Sequence, residues 1–224
     1  MNRRRMILLV FALTLVLLTT GCAQIQLAIS GQIEPHQILA TVLGQTSADA
    51  SAETEQNAVF GSWDGNTYTN SYAGFGCQLD EDWVYQGAEE DGNRLPQTTD
   101  MLAENAKELA TIHVLYTQLG FEERLTYGML SQEEILDTLL TEQDSLTQSY
   151  SQQGTEVSSI EKVQVQYLGQ EHFALKTETV TDSIPCYTVQ IMDYTAGEYG
   201  VTLSVNSYLE DKTQQLLDLF YVVE

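Results

Sequence analysis

Positively charged residues are scarce in this chain of 224 residues, which has 9 Lys and Arg against 32 Asp and Glu and a net charge of −23 at pH 7. Arg3, Arg4 and Arg5 stand together near the N-terminus, so the rest of the chain is more acidic still. A surface this acidic repels nucleic acid and anionic lipid headgroups. The charge balance therefore argues against nucleic acid as a partner.

Histidine is also rare, with 3 residues: His36, His113 and His172. No Cys/His pair has the spacing of a zinc site, and we expect the strand histidines His113 and His172 to be exposed. A Gly-x-Ser-x-Gly nucleophile turn and a glycine-rich phosphate loop are both missing. The sequence therefore predicts no catalytic residue, no metal and no cofactor.

Cysteine occurs 3 times. Apart from Cys22 in the N-terminal segment, Cys77 and Cys186 make an even number, which permits a disulfide in an exported domain. Against pairing, Cys77 shares a strand face with Phe75 and Leu79, whereas Cys186 lies opposite the apolar face of its own strand. In a single sheet the two thiols would point to different faces, so the disulfide is the less favoured alternative.

The N-terminal segment has the pattern of an export signal. Arg3–Arg5 precede an apolar run, Met6–Leu18, which is shorter than the roughly 20 residues of a membrane-spanning helix. The run ends at Gly21-Cys22, and residues 1–22 resemble a bacterial lipoprotein signal peptide, although Thr19 stands where the lipobox leucine usually lies. The resemblance implies lipidation of Cys22 and attachment to the extracytoplasmic face of the cell membrane.

Composition divides the remaining chain into a spacer and a domain. The stretch Thr46–Asn57 is small, polar and acidic, which is typical of a linker. We therefore predict a flexible spacer over residues 23–60, after the signal helix, and a folded domain over residues 61–224.

Within the domain, runs of alternating apolar residues predict strands, and apolar residues at helical spacing predict three helices. The predicted strands are Asn66–Tyr72, Gly74–Leu79, Ile112–Leu119, Val157–Leu168, Glu171–Val180, Pro185–Tyr194 and Val201–Ser207. The predicted helices begin after Thr98 or Thr99, run from the capping box at Ser131 to about Tyr150, and span Leu209–Phe220. Consecutive strands with short turns require antiparallel pairing, so the fold class is α+β.

A family resemblance lies at the start of the domain. The stretch Gly61–Asn70, followed by Tyr72, Gly74-Phe75 and Leu79–Trp83, resembles a recurring opening in surface lipoproteins of Firmicutes. Those proteins are similar to the PsbP/Mog1-like fold, which implies a central antiparallel sheet flanked by helices. The resemblance implies no particular reaction.

One aromatic cluster and two acidic clusters in this region invite a functional interpretation. Six aromatic residues lie close together, and they form either the core and rim of a sheet or a platform for a ligand. The candidates for facing a ligand are Trp63, Tyr68, Tyr72 and Trp83. The acidic clusters Asp80–Asp82 and Glu89–Asp91 are interpreted as solvated loops, although Asp91-Gly92-Asn93 has part of the pattern of a calcium loop.

Together these features predict a membrane-tethered, extracytoplasmic lipoprotein that binds or scaffolds rather than catalyses. Its partners are expected to be the membrane, through the lipid on Cys22, and an envelope protein or small ligand that the sequence does not specify. The alternative is a cell-envelope hydrolase or a solute-binding lipoprotein with a cleft. A deep pocket with converging polar groups would favour that alternative.

Overall fold

The computed structural model describes residues 60–86, 97–194 and 198–223, and in this part of the chain β-strands take up more residues than helices. Cys22, His36, the predicted signal peptide, residues 23–59 of the spacer and Asp91–Asn93 lie outside these ranges. The elements in chain order are β1 Ser62–Asp64, β2 Thr67–Asn70, β3 Phe75–Gln78, β4 Val84–Gln86, β5 Gln97–Asn105, β6 Ala110–Gln118, α1 Phe121–Tyr127, α2 Gln132–Leu140, α3 Gln143–Gln152, β7 Glu156–Tyr167, β8 Gln170–Thr181, β9 Ile184–Asp193, β10 Tyr199–Tyr208, α4 Thr213–Leu217 and β11 Phe220–Val222.

The described strands form two antiparallel sheets. The larger sheet has seven strands in the order β4-β5-β6-β10-β9-β8-β7, and the smaller has four in the order β1-β2-β3-β11. Short turns join β1 to β2 and β2 to β3, and Gly65 and Gly74 take up the positive φ angles of 58° and 72° that these turns require. The predicted α+β class and antiparallel sheet are confirmed, whereas the second sheet was not predicted.

The main core lies between the two sheets. Side-chain alternation directs Tyr68 and Phe75 of the small sheet and Val114 and Leu203 of the large sheet into one buried cluster, which Leu217 of α4 joins. Burying a side chain of this size stabilises the fold by about 1.5–3 kcal/mol.

The first three helices cover part of the opposite face of the large sheet. Tyr127 of α1, Leu136 of α2 and Leu146 of α3 form a second buried cluster with Leu175 and Met192 of the sheet. Among the described helices, none has both the length and the apolar character to cross a membrane.

The helix predicted after Thr98 or Thr99 is wrong, because this segment is β5. Met101 and Ala103 are completely buried on one face, and the strand pairs with β4 on one side and β6 on the other. A β-bulge between Thr99 and Met101 shifts the register. Leu, Ala and Glu favour a helix locally, but two non-local strand ladders outweigh that preference.

The other two predicted helices are confirmed only in part. The Ser131 capping box is present, with Glu134 N donating to Ser131 Oγ at 3.2 Å and Ser131 N donating to Glu134 Oε2 at 2.8 Å. The helix ends at Leu140, however, and α3 begins at Gln143. The predicted C-terminal helix shortens to α4, because Phe220–Val222 instead pair with β3 as β11.

Candidate functional site

The large sheet splits between β8 and β9. These strands pair only from Thr181/Ile184 to Leu175/Gln190. Beyond Gln190, β9 continues along β10, while β8 continues along β7 as a separate hairpin. A cavity of about 400 Å³ is lined by residues of both diverging arms. This volume is within the range of small-molecule pockets.

Four parts of the chain form the cavity wall. The tip of the β7–β8 hairpin contributes one side, the end of β9 and the start of β10 contribute the other, and the start of α2 and the β2–β3 turn complete it. The lining residues that bear polar groups are Tyr72, Gln132, Tyr167, His172, Asp193 and Tyr194, and the remaining wall is mostly aliphatic.

Tyr167 lines the cavity, but its hydroxyl is buried and has almost no accessible surface. The residue is 6% exposed, and its Oη has no hydrogen-bond partner within the described part of the chain. Its ring packs edge-on against His172 at a centroid distance of 5.4 Å and against Phe220 at 5.7 Å. Burial, followed by the nearby Cys77 and Asp193, raises the pKa of Tyr167, so the hydroxyl stays protonated. An unsatisfied buried hydroxyl costs about 1–3 kcal/mol, so Tyr167 Oη lowers the stability of this part of the fold.

Gln132 shows how the open strand edge is satisfied. Its Nε2 donates to the carbonyl oxygen of Met192 at 3.1 Å, at a level of β9 where the ladder with β8 has already ended. Asp193, the next residue along β9, is exposed and is one of the lining residues.

A buried carboxylate that sequence reasoning missed fixes the β2–β3 turn. Asp100 is 0% exposed and accepts hydrogen bonds from Gly61 N at 3.0 Å, from Asn70 Nδ2 at 2.7 Å and from Tyr68 Oη. Burial, then the charge of Asp100, raises the pKa of Tyr68, so this phenol stays a donor. The β-bulge places Asp100 in the core, and the sequence carries no signal for that bulge.

The same network positions one wall of the cavity. Asn70 Oδ1 accepts from Ala73 N at 2.8 Å, which holds the turn that follows β2. Tyr72 in this turn is fixed through its Oη, which donates to Tyr199 O and accepts from Tyr199 N, both at 3.3 Å. Tyr68 and Asn70, which lie in the stretch Gly61–Asn70 that carries the family resemblance, therefore have a structural role that shapes the site.

Only one of the four candidate ligand-facing aromatics lines the cavity. Tyr72 does so, whereas Tyr68 is 0% exposed and Trp83 is 9% exposed in the main core, so these two belong to the core of the fold rather than to a ligand platform. Trp63 is half-buried and stacks on Tyr85 with ring centroids 3.7 Å apart. Its indole packs against the core beside β2, away from the cavity lining.

The histidines behave differently from the expectation that both are exposed. His113 is buried, its Nε2 lies 3.0 Å from Thr99 Oγ1, and burial lowers its pKa to about 4. His172 is half-buried and lines the cavity. Among the described residues, no group of three His, Cys, Asp or Glu side chains is arranged to hold a metal ion.

Cys77 and Cys186 form no disulfide. Cys77 lies in the small sheet within the main core, and Cys186 lies in the large sheet beside Tyr208. The argument against pairing considered the case of a single sheet, whereas the two cysteines lie in different sheets. Burial raises the pKa of Cys77 to about 12, so its thiol stays protonated.

No protein-family model matches this chain, and no curated protein matches it in sequence. In fold it is similar to the solution structure of cyanobacterial PsbP (CyanoP) from Synechocystis sp. PCC 6803, with 11% identity and a TM-score of 0.41 over 79% of this chain and 98% of that chain. It is also similar to a crystal structure from Bacteroides thetaiotaomicron, with 11% identity and a TM-score of 0.37 over 71% of this chain and 49% of that one. At these values the likenesses carry no argument about activity, ligand or partner.

Proposed function

We propose that this chain is a lipid-anchored, extracytoplasmic binding protein with a PsbP/Mog1-like domain, and that its ligand is a small molecule held in the cavity at the β8–β9 split. The observation that carries the proposal is the cavity itself, a mostly apolar space between the diverging arms of β8 and β9. A pre-formed pocket with few polar groups in a mostly apolar wall is the usual form of a small-molecule site.

This proposal takes the solute-binding alternative over a scaffold for another envelope protein. The cavity's volume of about 400 Å³ suits a small molecule rather than a protein surface. Among its polar lining residues, Tyr72, Gln132 and Tyr194 hydrogen-bond to other parts of the protein, and these bonds hold the wall in shape around a mostly apolar space. The anchor is supported by Gly21-Cys22 at the end of the apolar run.

Filling the cavity tests the binding site. Ala73 lines the cavity in the β2–β3 turn, whereas Ser71 in the same turn is exposed. We expect a small-molecule extract of the producing cells to raise the unfolding temperature of the wild-type chain and of Ser71→Trp, but not that of Ala73→Trp. Equal stabilisation of all three proteins, or of none, would contradict a ligand in this cavity.

Fractionation tests the anchor independently. We expect Cys22→Ala to lose lipid labelling and to leave the membrane fraction, whereas Ser30→Ala, a nearby control, stays with the membrane. If Cys22→Ala were processed and retained like the parent, the lipoprotein assignment would be wrong and the cavity proposal would be unaffected.

A further inference from the structure

The residues that line the cavity narrow the class of ligand, an inference that rests on the proposed function. We propose that the cavity binds an uncharged, largely apolar molecule, which is held by shape and apolar contact rather than through a charged group. The molecule lies between the two buried clusters of the domain and contacts both.

The cavity lies where the main core and the second cluster come together. Ile191 and Met192 are neighbours on β9 and belong to different clusters, the first to the main core and the second to the cluster under the helices. Both line the cavity, as do Leu203 of the main core and Ile135 of the second cluster. The separation of β8 from β9 therefore opens one space to apolar residues from both faces of the large sheet.

Three polar side chains of the wall are already bonded within the protein. Tyr72 Oη has two hydrogen bonds of 3.3 Å to the backbone of β10, and Gln132 Nε2 donates to a carbonyl oxygen of β9 at 3.1 Å. Tyr194 Oη lies 3.1 Å from Thr202 Oγ1. A ligand that bonded to one of these groups would exchange one hydrogen bond for another, so the net gain would be small.

The other polar lining residues give a charged ligand little to bind. Tyr167 Oη has almost no accessible surface, and the ring of His172 packs edge-on against the Tyr167 ring. Asp193 is exposed and already has an interaction within the protein. Among the described lining residues there is no Lys or Arg, so an anion would find no opposite charge in a chain whose net charge is −23.

An uncharged ligand follows from the cost of burying a charge. An ion that leaves water for an apolar site, without an opposite charge or hydrogen bonds to replace its hydration, loses far more free energy than apolar contacts return. An uncharged apolar body has no such loss, and removing its surface from water is favourable in proportion to the area buried. The mostly apolar wall therefore selects against ions of either sign.

Three probes with one body test the charge class: 4-phenylbutan-1-ol, 4-phenylbutylamine and 4-phenylbutanoate. Binding is measured by titration calorimetry on the full chain in phosphatidylcholine nanodiscs, with empty nanodiscs as the blank. Salt at about 0.15 M screens the net charge of the chain. We expect the alcohol to bind at least about tenfold more tightly than either ion. An ion that binds as tightly as the alcohol would overturn the uncharged ligand and leave the cavity as a binding site.

A pair of variants locates the alcohol in the cavity. Ala73→Trp fills the cavity and should abolish binding of the alcohol, whereas Ser71→Trp, at an exposed position in the same turn, should keep it. Equal binding to the wild-type chain and to a folded Ala73→Trp protein would overturn both this inference and the proposed site. If Ala73→Trp does not fold, the order of the three probes on the wild-type chain decides the ligand class by itself.

The natural ligand can be classified before it is identified. The cell extract that stabilises the wild-type chain is partitioned between water and dichloromethane at about pH 3, 7 and 11, because acids and amines are uncharged only at one end of this range. We expect the stabilising component to enter the organic phase at all three pH values and to contain no phosphate, which excludes a phospholipid. A component that enters it only at one end of the range, that stays in water or that contains phosphate would overturn the uncharged ligand and leave the cavity as the site. An extract with no component that distinguishes the wild-type chain from Ala73→Trp would overturn both.

Discussion

Asp100 connects the first residue of the domain to both sheets. Gly61 N, Tyr68 Oη and Asn70 Nδ2 all donate to its buried carboxylate, and Asn70 Nδ2 also donates to Tyr116 Oη at 2.7 Å. The Asp100 carboxylate can accept the bonds from Gly61, Tyr68 and Asn70 because it has two oxygens and no proton of its own. The network therefore depends on a residue that accepts at every position.

Replacing Asp100 with Asn tests this dependence. The amide nitrogen would face donors instead of accepting from them, so we expect Asp100→Asn to lower the free energy of unfolding by about 2–3 kcal/mol. Asp64→Asn, at an exposed acid on β1, should change it by less than about 0.5 kcal/mol. Urea unfolding of the two variants gives the comparison, and equal midpoints would contradict the role assigned to Asp100.

His113 makes stability depend on pH. Burial lowers its pKa from 6.5 to about 4, so above pH 6.5 the residue is neutral in both the folded and the unfolded chain. Between pH 6.5 and 4 the unfolded chain binds a proton that the folded chain does not, and stability falls as the pH is lowered. Below about pH 4 both states are protonated and the loss, up to about 3 kcal/mol, is complete.

The variant His113→Gln isolates this effect from the many acids. We expect the wild-type chain to lose more stability than His113→Gln between pH 6.5 and 4, with urea unfolding as the measurement. Glu104 on the neighbouring strand has a pKa raised by burial, which acts in the opposite direction but is present in both proteins. Parallel stability curves for the two proteins would show that His113 does not titrate as its burial requires.

Among the secondary-structure elements, α2 begins at the residue that its capping-box sequence predicts. The Ser131 hydroxyl and the Glu134 carboxylate satisfy each other's backbone N–H groups, which is a purely local arrangement. The helix then carries Gln132 and Ile135 to the cavity. The capping box therefore fixes where α2 begins and, through it, the positions of Gln132 and Ile135 at the cavity.

Loss of this cap should be measurable. Ser131→Ala removes the side-chain acceptor for Glu134 N, and we expect a loss of about 1 kcal/mol in unfolding free energy. Ser145→Ala, at an exposed position in the first turn of α3, should be neutral within about 0.5 kcal/mol. Thermal unfolding of both variants checks this, and similar midpoints would mean that the cap contributes little.

At the scale of the whole molecule, the N-terminal edge of the domain is set by contacts rather than by composition. Phe60, which composition places in the spacer, packs on Tyr116 with ring centroids 5.3 Å apart, and Gly61 N is bonded to Asp100. The strand β1 then pairs with β2 and completes the small sheet.

Two truncations test where the folded unit begins. A fragment of residues 58–224 retains Phe60, the Gly61 contact and β1, and we expect it to unfold cooperatively. A fragment of residues 66–224 lacks all three, and it should be less stable by several kcal/mol because an aromatic contact, a charged hydrogen bond and a strand are lost. Comparable urea midpoints would place the true boundary after β1.

Strand positions and the start of α2 could be predicted from local patterns in the sequence. Strand alternation located β6 and the four long strands β7–β10, because the period of two is read directly from neighbouring residues. The capping box located the start of α2 for the same reason. The predicted attachment to the membrane likewise depends on a local motif, Gly21-Cys22, and it stays a prediction.

The sequence does not predict which segments pair or where paired strands separate, because both depend on the tertiary structure. The residues of β5 have a helical pattern locally, but pairing with β4 and β6 makes them a strand. Phe220 likewise has a helical pattern locally, but it pairs with Cys77 of β3. Tyr167 and Asp193 come from different strands, 26 positions apart by their numbering, and they share a cavity because β8 leaves β9 at Gln190. Nothing near either residue marks that point, since strand pairing is a sum of non-local contacts and a cavity is the space that those contacts leave unfilled.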